Sequence, residues 1–237
     1  MAKTLQIAVI LAAGMGTRLK EAGKTKPKGF LHVGQHPIVQ ESIDKLLRAG
    51  MTQIIIVTGH HFEFYEGLKE SYTGIIETVH NSLYAESGSM YSLYCARERL
   101  TEDFLLLESD VIYEERALAE ILQFPKENGV LLSGPTASGD EVYVTVREER
   151  IIGMSKEFGK FGTNIAGELV GITKISQSLF KEMIADAEAA FDRTLQIAYE
   201  TDCLSAVALR YPLYFHLMPD LIWAEIDDPQ AFERAKS

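Results

Sequence analysis

The sequence is poor in cysteine, tryptophan and positive charge, and these shortages exclude several classes of protein. Its 237 residues contain one tryptophan and two cysteines, Cys95 and Cys203. Two distant cysteines in apolar, helix-like contexts predict buried free thiols rather than a disulfide framework. Lysine and arginine total 23 against 34 acidic residues, a formal net charge of −11. Because nucleic-acid binding requires a basic face, this balance argues against a nucleic-acid partner.

Long apolar runs and leader-like segments are missing as well. No window approaches the roughly 18 consecutive apolar residues of a membrane span. Residues 1–4 lead directly into a strand-like stretch, without the apolar core and cleavage site of a signal peptide. The composition, 46% hydrophobic and 24% charged, is that of an ordinary globular protein. We therefore predict a cytoplasmic protein without a membrane span.

Strand-like and helix-like segments alternate through the first half of the chain. The predicted strands cover 5–11, 53–58, 75–79 and 104–108, and the helices between them cover 37–49, 61–72 and 90–100. From about residue 127 shorter strands follow at 130–133, 141–146, 151–154 and 168–172, with helices at 178–191 and 198–209. This order predicts one α/β domain over residues 1–237 with a mixed, mainly parallel central sheet.

A turn of small residues follows the first predicted strand. Residues 11–19 read Leu-Ala-Ala-Gly-Met-Gly-Thr-Arg-Leu, and such a turn lets backbone N–H groups approach a phosphate chain. Two common phosphate motifs do not fit. The dinucleotide fingerprint would need a glycine in place of Leu19, and the P-loop that Gly23-Lys24-Thr25 suggests would need one in place of Arg18.

Positive charge is concentrated around this turn, in a protein that is otherwise acidic. The residues that carry it are Arg18, Lys20, Lys24, Lys26 and Lys28. Such a cluster is a candidate anion site, although a solvated loop would explain the charge equally simply. We interpret Lys20 and Lys24 as solvated loop positions.

The string at 11–19, followed by Pro27-Lys28, resembles the signature of sugar-phosphate and related nucleotidyltransferases. The resemblance implies a three-layer, Rossmann-like nucleotidyltransferase fold, with a nucleotide-binding half at about 1–127 and an acceptor-binding half at about 128–237. It implies that Arg18 and Lys28 are the catalytic cations. It also implies that the turn wraps the nucleoside triphosphate through Leu11, Ala12, Ala13, Gly14, Gly16 and Thr17. An acceptor phosphate or phosphonate is already anionic near pH 7, so we predict no general base.

Two acidic strings are candidates for a metal site. Asp110 comes two residues after the apolar strand at 104–108. Ligands bind beyond the carboxyl ends of such strands in open α/β sheets, although a helix cap would also explain Asp110. The string Trp223-Ala224-Glu225-Ile226-Asp227 resembles the W-x-E-I-D string of small cytidylyltransferases. The resemblance implies that Asp110 and Asp227 bind Mg²⁺, a hard cation that prefers oxygen ligands. Asp228-Pro229 is typical of a helix start.

Four further strings narrow the resemblance. Residues 80–90, 104–113, 138–143 and 167–174 look like those of 2-aminoethylphosphonate cytidylyltransferases, whereas 91–94 resembles phosphocholine cytidylyltransferases. Both families use CTP, so the expected partners are CTP and a small phosphonate or phosphate acceptor. The leading acceptor is 2-aminoethylphosphonate and the alternative is phosphocholine. A sugar 1-phosphate acceptor is less favoured, and a catalytically silent nucleotide-binding subunit is the alternative from another class. The oligomeric state stays open.

The resemblance also implies residues for the base and the acceptor. Ser87, Gly88 and Ser89 are expected at the base, although their groups could equally cap a helix, and nothing distinguishes cytosine from uracil. The acceptor candidates are Asp140, Glu141, Glu168 and Glu200. Glu168 is the strongest from the residues alone because it interrupts an apolar strand, whereas a turn explains Asp140 and an exposed helix face explains Glu200. Tyr143, Phe161 and Tyr199 could form a partial aromatic cage, and Trp223 is assigned to the metal side.

Overall fold

The chain folds into alternating strands and helices. In the computed structural model, which describes residues 5–19, 23 and 25–236, the strands are β1 (Ile7–Ala12), β2 (Gln53–Thr58), β3 (Ile76–His80), β4 (Phe104–Glu108), β5 (Val111–Tyr113), β6 (Gly129–Ser133), β7 (Tyr143–Arg147), β8 (Arg150–Ser155), β9 (Ile165–Ile175), β10 (Tyr214–Met218) and β11 (Trp223–Glu225). The helices are α1 (Ile38–Arg48), α2 (Phe62–Ser71), α3 (Ser89–Cys95), α4 (Arg116–Gln123), α5 (Gln177–Phe191), α6 (Ser205–Ala208) and α7 (Pro229–Arg234). A π-helix covers Tyr199–Leu204, and short 3-10 turns cover Thr17–Leu19, Lys28–Phe30 and Arg97–Arg99.

Among the described residues, nine strands form one sheet in the order β3-β2-β1-β4-β9-β6-β10-β8-β7. Strands β3, β2, β1 and β4 pair in parallel. Strand β9 lies between β4 and β6 and is antiparallel to both. The strand β10 is parallel to β6, while β8 is antiparallel to both β10 and β7. Only β8 and β9 therefore oppose the common direction. The predicted mixed, mainly parallel sheet is confirmed.

Helices cover both faces of this sheet, which gives three layers. One buried apolar cluster joins the sheet to α3, α5 and α6, and a second joins its other face to α1, α2 and α4. The predicted Rossmann-like nucleotidyltransferase architecture is confirmed. In the part of the chain that the structure describes, no helix is long and apolar enough to span a bilayer.

Several elements differ from the sequence prediction. The predicted helix at 198–209 is a π-helix followed by the four-residue α6, and the predicted helix at 90–100 ends as an α-helix at Cys95. Strands β5, β10 and β11 were not predicted. Strands β5 and β11 pair antiparallel as a separate two-stranded ribbon, which we call the β5–β11 ribbon. Both cysteines are free, as predicted, with Cys203 buried and Cys95 half-buried.

Candidate active site

A half-buried lysine, with 16% of its side chain exposed, joins two of the predicted acidic residues. Asp110 lies just after β4, and Asp227 just after β11. The backbone N–H of Ile226 donates to the carbonyl of Asp110 at 3.0 Å, which holds these two chain segments together. Lys28 Nζ lies 2.7 Å from Asp110 Oδ2 and also donates to Asp227 Oδ1. The structure thus brings together three residues that are far apart in the sequence.

The charge of Lys28 is set by these two carboxylates. Burial opposes the charged form, but attraction to Asp110 and Asp227 outweighs it and raises the pKa of Lys28 well above its usual range. The ammonium is therefore a permanent cation at neutral pH. A fixed, partly desolvated cation can stabilise charge that develops on a reacting phosphate.

Arg18 approaches the same centre from the turn after β1. Its Nη2 lies 2.8 Å from Asp227 Oδ2, and its Nη1 lies 2.6 Å from Asp140 Oδ2. Lys156 Nζ lies 2.7 Å from the other oxygen of Asp140. Burial alone would raise the pKa of Asp140, but its hydrogen bonds, including those from Lys156 and Arg18, hold that pKa well below the usual range. Asp140 is thus an ionised counter-ion between two cations.

Two glutamates that the sequence analysis did not assign complete the acidic centre. Ligand oxygens of Glu108, Asp110 and Glu225 lie within 4.8 Å of one another. Burial and the nearby acids raise the pKa of Glu108 to about 8 and that of Glu225 to about 10. The repeated pattern Glu-x-Asp, at 108–110 and 225–227, is the sequence signal that marks them.

These residues fit the magnesium that the family resemblance implies. Carboxylate oxygens are the ligands that Mg²⁺ prefers. Among the described residues, Asp227 Oδ2 is a buried oxygen without a hydrogen bond, because its 2.8 Å contact with Arg18 lacks hydrogen-bond geometry. Such an oxygen is suited to a cation. The assignment of Asp110 and Asp227 as ligands stays a prediction.

A cavity of about 200 Å³, which we call the donor cavity, lies beside the turn after β1. It is lined by Leu11, Ala12, Ala13, Gly14, Ser87, Gly88 and Ser89, all predicted nucleotide contacts. Gly16 and Thr17 do not line it. Gly16 has a φ of +62° at the turn, and Thr17 begins the 3-10 turn that carries Arg18. Lys20 and Lys24 lie outside the described residues.

Hydrogen bonds fix the serines at the donor cavity. The N-cap of α3 is Gly88, with no side-chain capping bond, so helix capping does not account for either serine. Ser87 Oγ donates to the Leu83 carbonyl at 2.8 Å and accepts from Asn81 at 3.0 Å. Ser89 Oγ accepts from the Tyr199 backbone N–H at 2.9 Å. The turn is therefore held in place by hydrogen bonds.

A larger cavity of about 700 Å³, which we call the acceptor cavity, adjoins the donor cavity. It is lined by all four predicted acceptor residues, Asp140, Glu141, Glu168 and Glu200. Glu108 and Glu200 line both cavities, so the two meet there. Asp110 lines the donor cavity and Asp227 the acceptor cavity. The bridge through Lys28 therefore joins a residue that lines one cavity to a residue that lines the other.

The four predicted acceptor residues differ in their contacts. Glu168 is 6% exposed, and its Oε2 accepts from the backbone N–H and the hydroxyl of Thr136 at 2.9 and 2.7 Å. Glu200 lies 3.5 Å from Ser89 Oγ, and burial raises its pKa. Glu141 accepts from the backbone of Gly139 at 2.9 Å, within its own loop. Glu168 is thus the buried acid of this set, and the other three are half-buried.

The aromatic residues are arranged differently from the expectation. Trp223, which the sequence analysis placed on the metal side, lines the acceptor cavity, while Tyr199 lines the donor cavity. Tyr143 and Phe161 line neither of these cavities. Tyr143 packs edge-on against Phe158, and Phe161 packs over Gly153. The expected partial cage is therefore not formed by these three residues.

Comparisons with known proteins find cytidylyltransferases and a CMP-phosphonate synthase among the similar sequences. CMP-5'-(3-aminopropyl)phosphonate synthase of Streptomyces rubellomurinus is 29% identical over 238 residues, which cover 94% of this chain and 37% of that protein. Choline-phosphate cytidylyltransferase of Streptococcus pneumoniae is 35% identical over 107 residues, 45% of this chain and 46% of that protein. The 2-aminoethylphosphonate cytidylyltransferase of Lancefieldella rimae is 32% identical over 109 residues, 46% of this chain and 44% of that protein. The chain thus matches less than half the length of each of these relatives.

A solved structure shows the same fold. The inositol-1-phosphate CTP transferase from T. maritima superposes with a TM-score of 0.82 over 100% of this chain and 98% of that one, at 19% identity. Residues 8–207 match the family profile described as MobA-like NTP transferase domain. Since this match covers most of the chain, the protein belongs to the MobA-like NTP transferase family, and the predicted resemblance to its cytidylyltransferases is confirmed.

Proposed function

We propose that the protein transfers CMP from CTP to a small aminoalkylphosphonate, with release of pyrophosphate and with Mg²⁺ as cofactor. The leading acceptor is 2-aminoethylphosphonate. The observation that carries this proposal is the position of Lys28 between Asp110, on the donor cavity, and Asp227, on the acceptor cavity. The names of the relatives support CTP as the donor and a phosphonate or phosphate as the acceptor.

The arrangement suits an in-line attack of an acceptor oxyanion on the α-phosphorus of CTP. Lys28 and Arg18 are cations beside the acidic centre, where negative charge would accumulate on the phosphate oxygens. A bound Mg²⁺ would supply further charge neutralisation at Asp110 and Asp227. The attacking oxygen is already anionic, so the site needs no general base. A catalytically silent subunit is disfavoured because Arg18, Lys28 and both aspartates are present together.

The charges of the acceptor cavity favour an amine-bearing acceptor. Arg18 and Lys156 supply positive charge suited to a phosphonate. Glu168 supplies a buried carboxylate and Glu200 a half-buried one, and carboxylates satisfy the three N–H donors of a primary ammonium. Phosphocholine is the second candidate because Trp223 lines the cavity and an aromatic face attracts a quaternary ammonium.

The proposal is tested by an acceptor panel with CTP and Mg²⁺ in which pyrophosphate release is followed. We expect kcat/KM for 2-aminoethylphosphonate to exceed that for phosphocholine by about tenfold or more, a difference of about 1.4 kcal/mol. UTP in place of CTP serves as the donor control. Equal or better use of phosphocholine would replace the acceptor in the proposal, and the absence of pyrophosphate release with every acceptor would refute the proposed reaction.

A further inference from the structure

The acceptor cavity is longer than a two-carbon aminophosphonate. It runs along the β5–β11 ribbon, where Ile226 N–H donates to the Asp110 carbonyl at the acidic end and Glu114 N–H donates to the Ile222 carbonyl at the outer end. Positions 222 and 226 flank the three residues of β11 and are four residue steps apart, which corresponds to about 13 Å. The phosphorus and nitrogen of 2-aminoethylphosphonate are three bonds apart, which is roughly 4 Å.

The volume of the acceptor cavity also exceeds the volume of 2-aminoethylphosphonate. A compound of seven non-hydrogen atoms, taken at the roughly 30 Å³ that each water molecule fills in the liquid, needs about 200 Å³. The acceptor cavity holds about 700 Å³. Most of the cavity therefore lies beyond the space that this acceptor would fill.

The outer part of the cavity, which we call the annex, has an apolar lining. Its walls include Ile112 and Ala224, which are opposite each other on the β5–β11 ribbon, with Ala231 and Ala235 from the α7 region. Ile222 stands at its outer end with 72% of its surface exposed.

The acidic group at the outer end is already engaged. Glu114 Oε2 accepts from the backbone N–H of Ile222 at 3.0 Å and from Arg116 at 2.8 Å. The charge of Glu114 is thus compensated within the protein, and it offers little to a second ammonium.

Two charged residues of the α7 region also line the cavity. Asp228 accepts from the Ala231 N–H at 2.7 Å, and Arg234 donates to the Ser138 carbonyl at 3.3 Å. The remaining lining of the annex named above is apolar surface.

We propose that the annex binds an apolar extension of the acceptor, so that the preferred substrates are aminophosphonates with a longer or N-substituted chain. The extension continues from the amine along the ribbon towards Ile222, and the remaining length of about 9 Å accommodates roughly six chain atoms. This inference rests on the proposed function, because the phosphonate end must lie at the acidic centre. It deepens that function by naming the class of acceptor.

The test compares 2-aminoethylphosphonate with N-butyl-2-aminoethylphosphonate. Pyrophosphate release with CTP and Mg²⁺ gives kcat/KM, and calorimetry gives Kd for each phosphonate. The butyl compound should show about tenfold higher kcat/KM and tighter binding, because its methylene groups leave water for the annex. Ile222→Asp should lower the butyl-to-unsubstituted ratio at least about fivefold, since it places a charge against the chain. Leu209→Asp is the matched control, because Leu209 is also 72% exposed and lines neither cavity.

The outcomes separate this inference from the proposed function. If the unsubstituted compound reacts and the butyl compound reacts and binds no better, the annex proposal is overturned and the proposed function stands. If neither reacts but the butyl compound binds more tightly and loses that advantage in Ile222→Asp, the annex stands and the proposed reaction fails. If the butyl compound shows no advantage in binding or turnover, or if Leu209→Asp changes the ratio as much as Ile222→Asp, the annex proposal is overturned.

Discussion

Lys28 Nζ lies 2.7 Å from Asp110 Oδ2, and the same nitrogen donates to Asp227. One half-buried cation thus connects a residue just after β4 with a residue just after β11. Asp110 lines the donor cavity and Asp227 lines the acceptor cavity, so this cation connects a wall of one cavity with a wall of the other.

The first prediction concerns Lys28 itself. Lys28→Met should lower kcat/KM by about 10²- to 10³-fold, because a cation fixed near the developing charge acts mainly in the transition state. Lys26→Met is the matched control on the same segment, since Lys26 lines neither cavity, and it should stay close to wild type. Steady-state kinetics measure both. Similar losses in the two variants would mean that the segment acts only as a diffuse basic patch.

The second prediction concerns the metal. Asp110→Asn and Asp227→Asn should each lower turnover by about two orders of magnitude or more, since several kcal/mol of metal-dependent charge stabilisation would be lost. Removal of Mg²⁺ with a chelator should abolish wild-type turnover, and added Mg²⁺ should restore it.

Asp228→Asn is the control for this pair. Asp228 caps α7 by accepting from the Ala231 N–H at 2.7 Å, a role that asparagine fills equally well. Its turnover should therefore remain near wild type. Near-normal activity of Asp110→Asn in Mg²⁺ would contradict the metal assignment.

The third prediction concerns Gly171, which has a φ of +80° within β9 and lines the acceptor cavity. A Cβ atom there would lie 3.3 Å from the carboxyl carbon of Glu108 and from Val111 Cγ2. Gly171→Ala should therefore lower both the free energy of unfolding and kcat/KM for the acceptor.

Gly74 provides the comparison. It has a φ of +78° and nothing within 4 Å of a Cβ atom. Gly74→Ala should cost about 1 kcal/mol of stability from the left-handed backbone alone and leave catalysis unaffected. Denaturant unfolding measures the loss of stability in both variants, and kinetics measure the loss of activity. Together they separate backbone strain, which both variants share, from crowding at the cavity wall, which only Gly171→Ala has. An unchanged acceptor kcat/KM in Gly171→Ala would show that this wall of the cavity does not face the acceptor.

The fourth prediction separates the acidic residues of the acceptor cavity. Glu168→Gln and Glu200→Gln should raise KM for 2-aminoethylphosphonate more than KM for CTP, because they remove carboxylates that pair with the ammonium. Asp140→Asn should behave differently, since Asp140 is paired with Arg18 and Lys156. It should weaken the use of ethylphosphonate, which lacks the amine, as much as that of 2-aminoethylphosphonate. A loss confined to the amine-bearing compound would make Asp140 an ammonium ligand instead.

The sequence predicted most of the sheet because its buried strands are continuous apolar runs. The predicted strands at 53–58 and 104–108 coincide with β2 and β4. Strands β5 and β11 were missed because each has only three residues, which are too few to show the alternation of apolar and polar residues that indicates a strand. The sequence predicts an α-helix where the structure has the π-helix Tyr199–Leu204. The spacing of apolar residues does not distinguish the two helix types over only six residues.

The residues of the site were predicted from family motifs more than from hydrophobic periodicity or charge. The turn at 11–14 and the three residues Ser87, Gly88 and Ser89 do share one cavity. Glu108, Glu225 and Lys156 were not assigned, because their roles depend on long-range contacts. Glu225 joins Glu108 through the pairing of β11 with β5, and Lys156 contacts Asp140. Trp223 was placed on the metal side because the sequence shows its neighbours along the chain and not the cavity that its ring lines.

The central claim is transfer of CMP to an aminoalkylphosphonate, and the most direct measurement is ³¹P NMR of the purified protein incubated with CTP, Mg²⁺ and 2-aminoethylphosphonate. We predict equimolar growth of pyrophosphate and of a CMP-linked phosphonate resonance, both dependent on the acceptor and both absent in Asp110→Asn. Pyrophosphate without the linked phosphonate, or no change in the spectrum while the protein is folded and Mg²⁺ is present, would contradict the account.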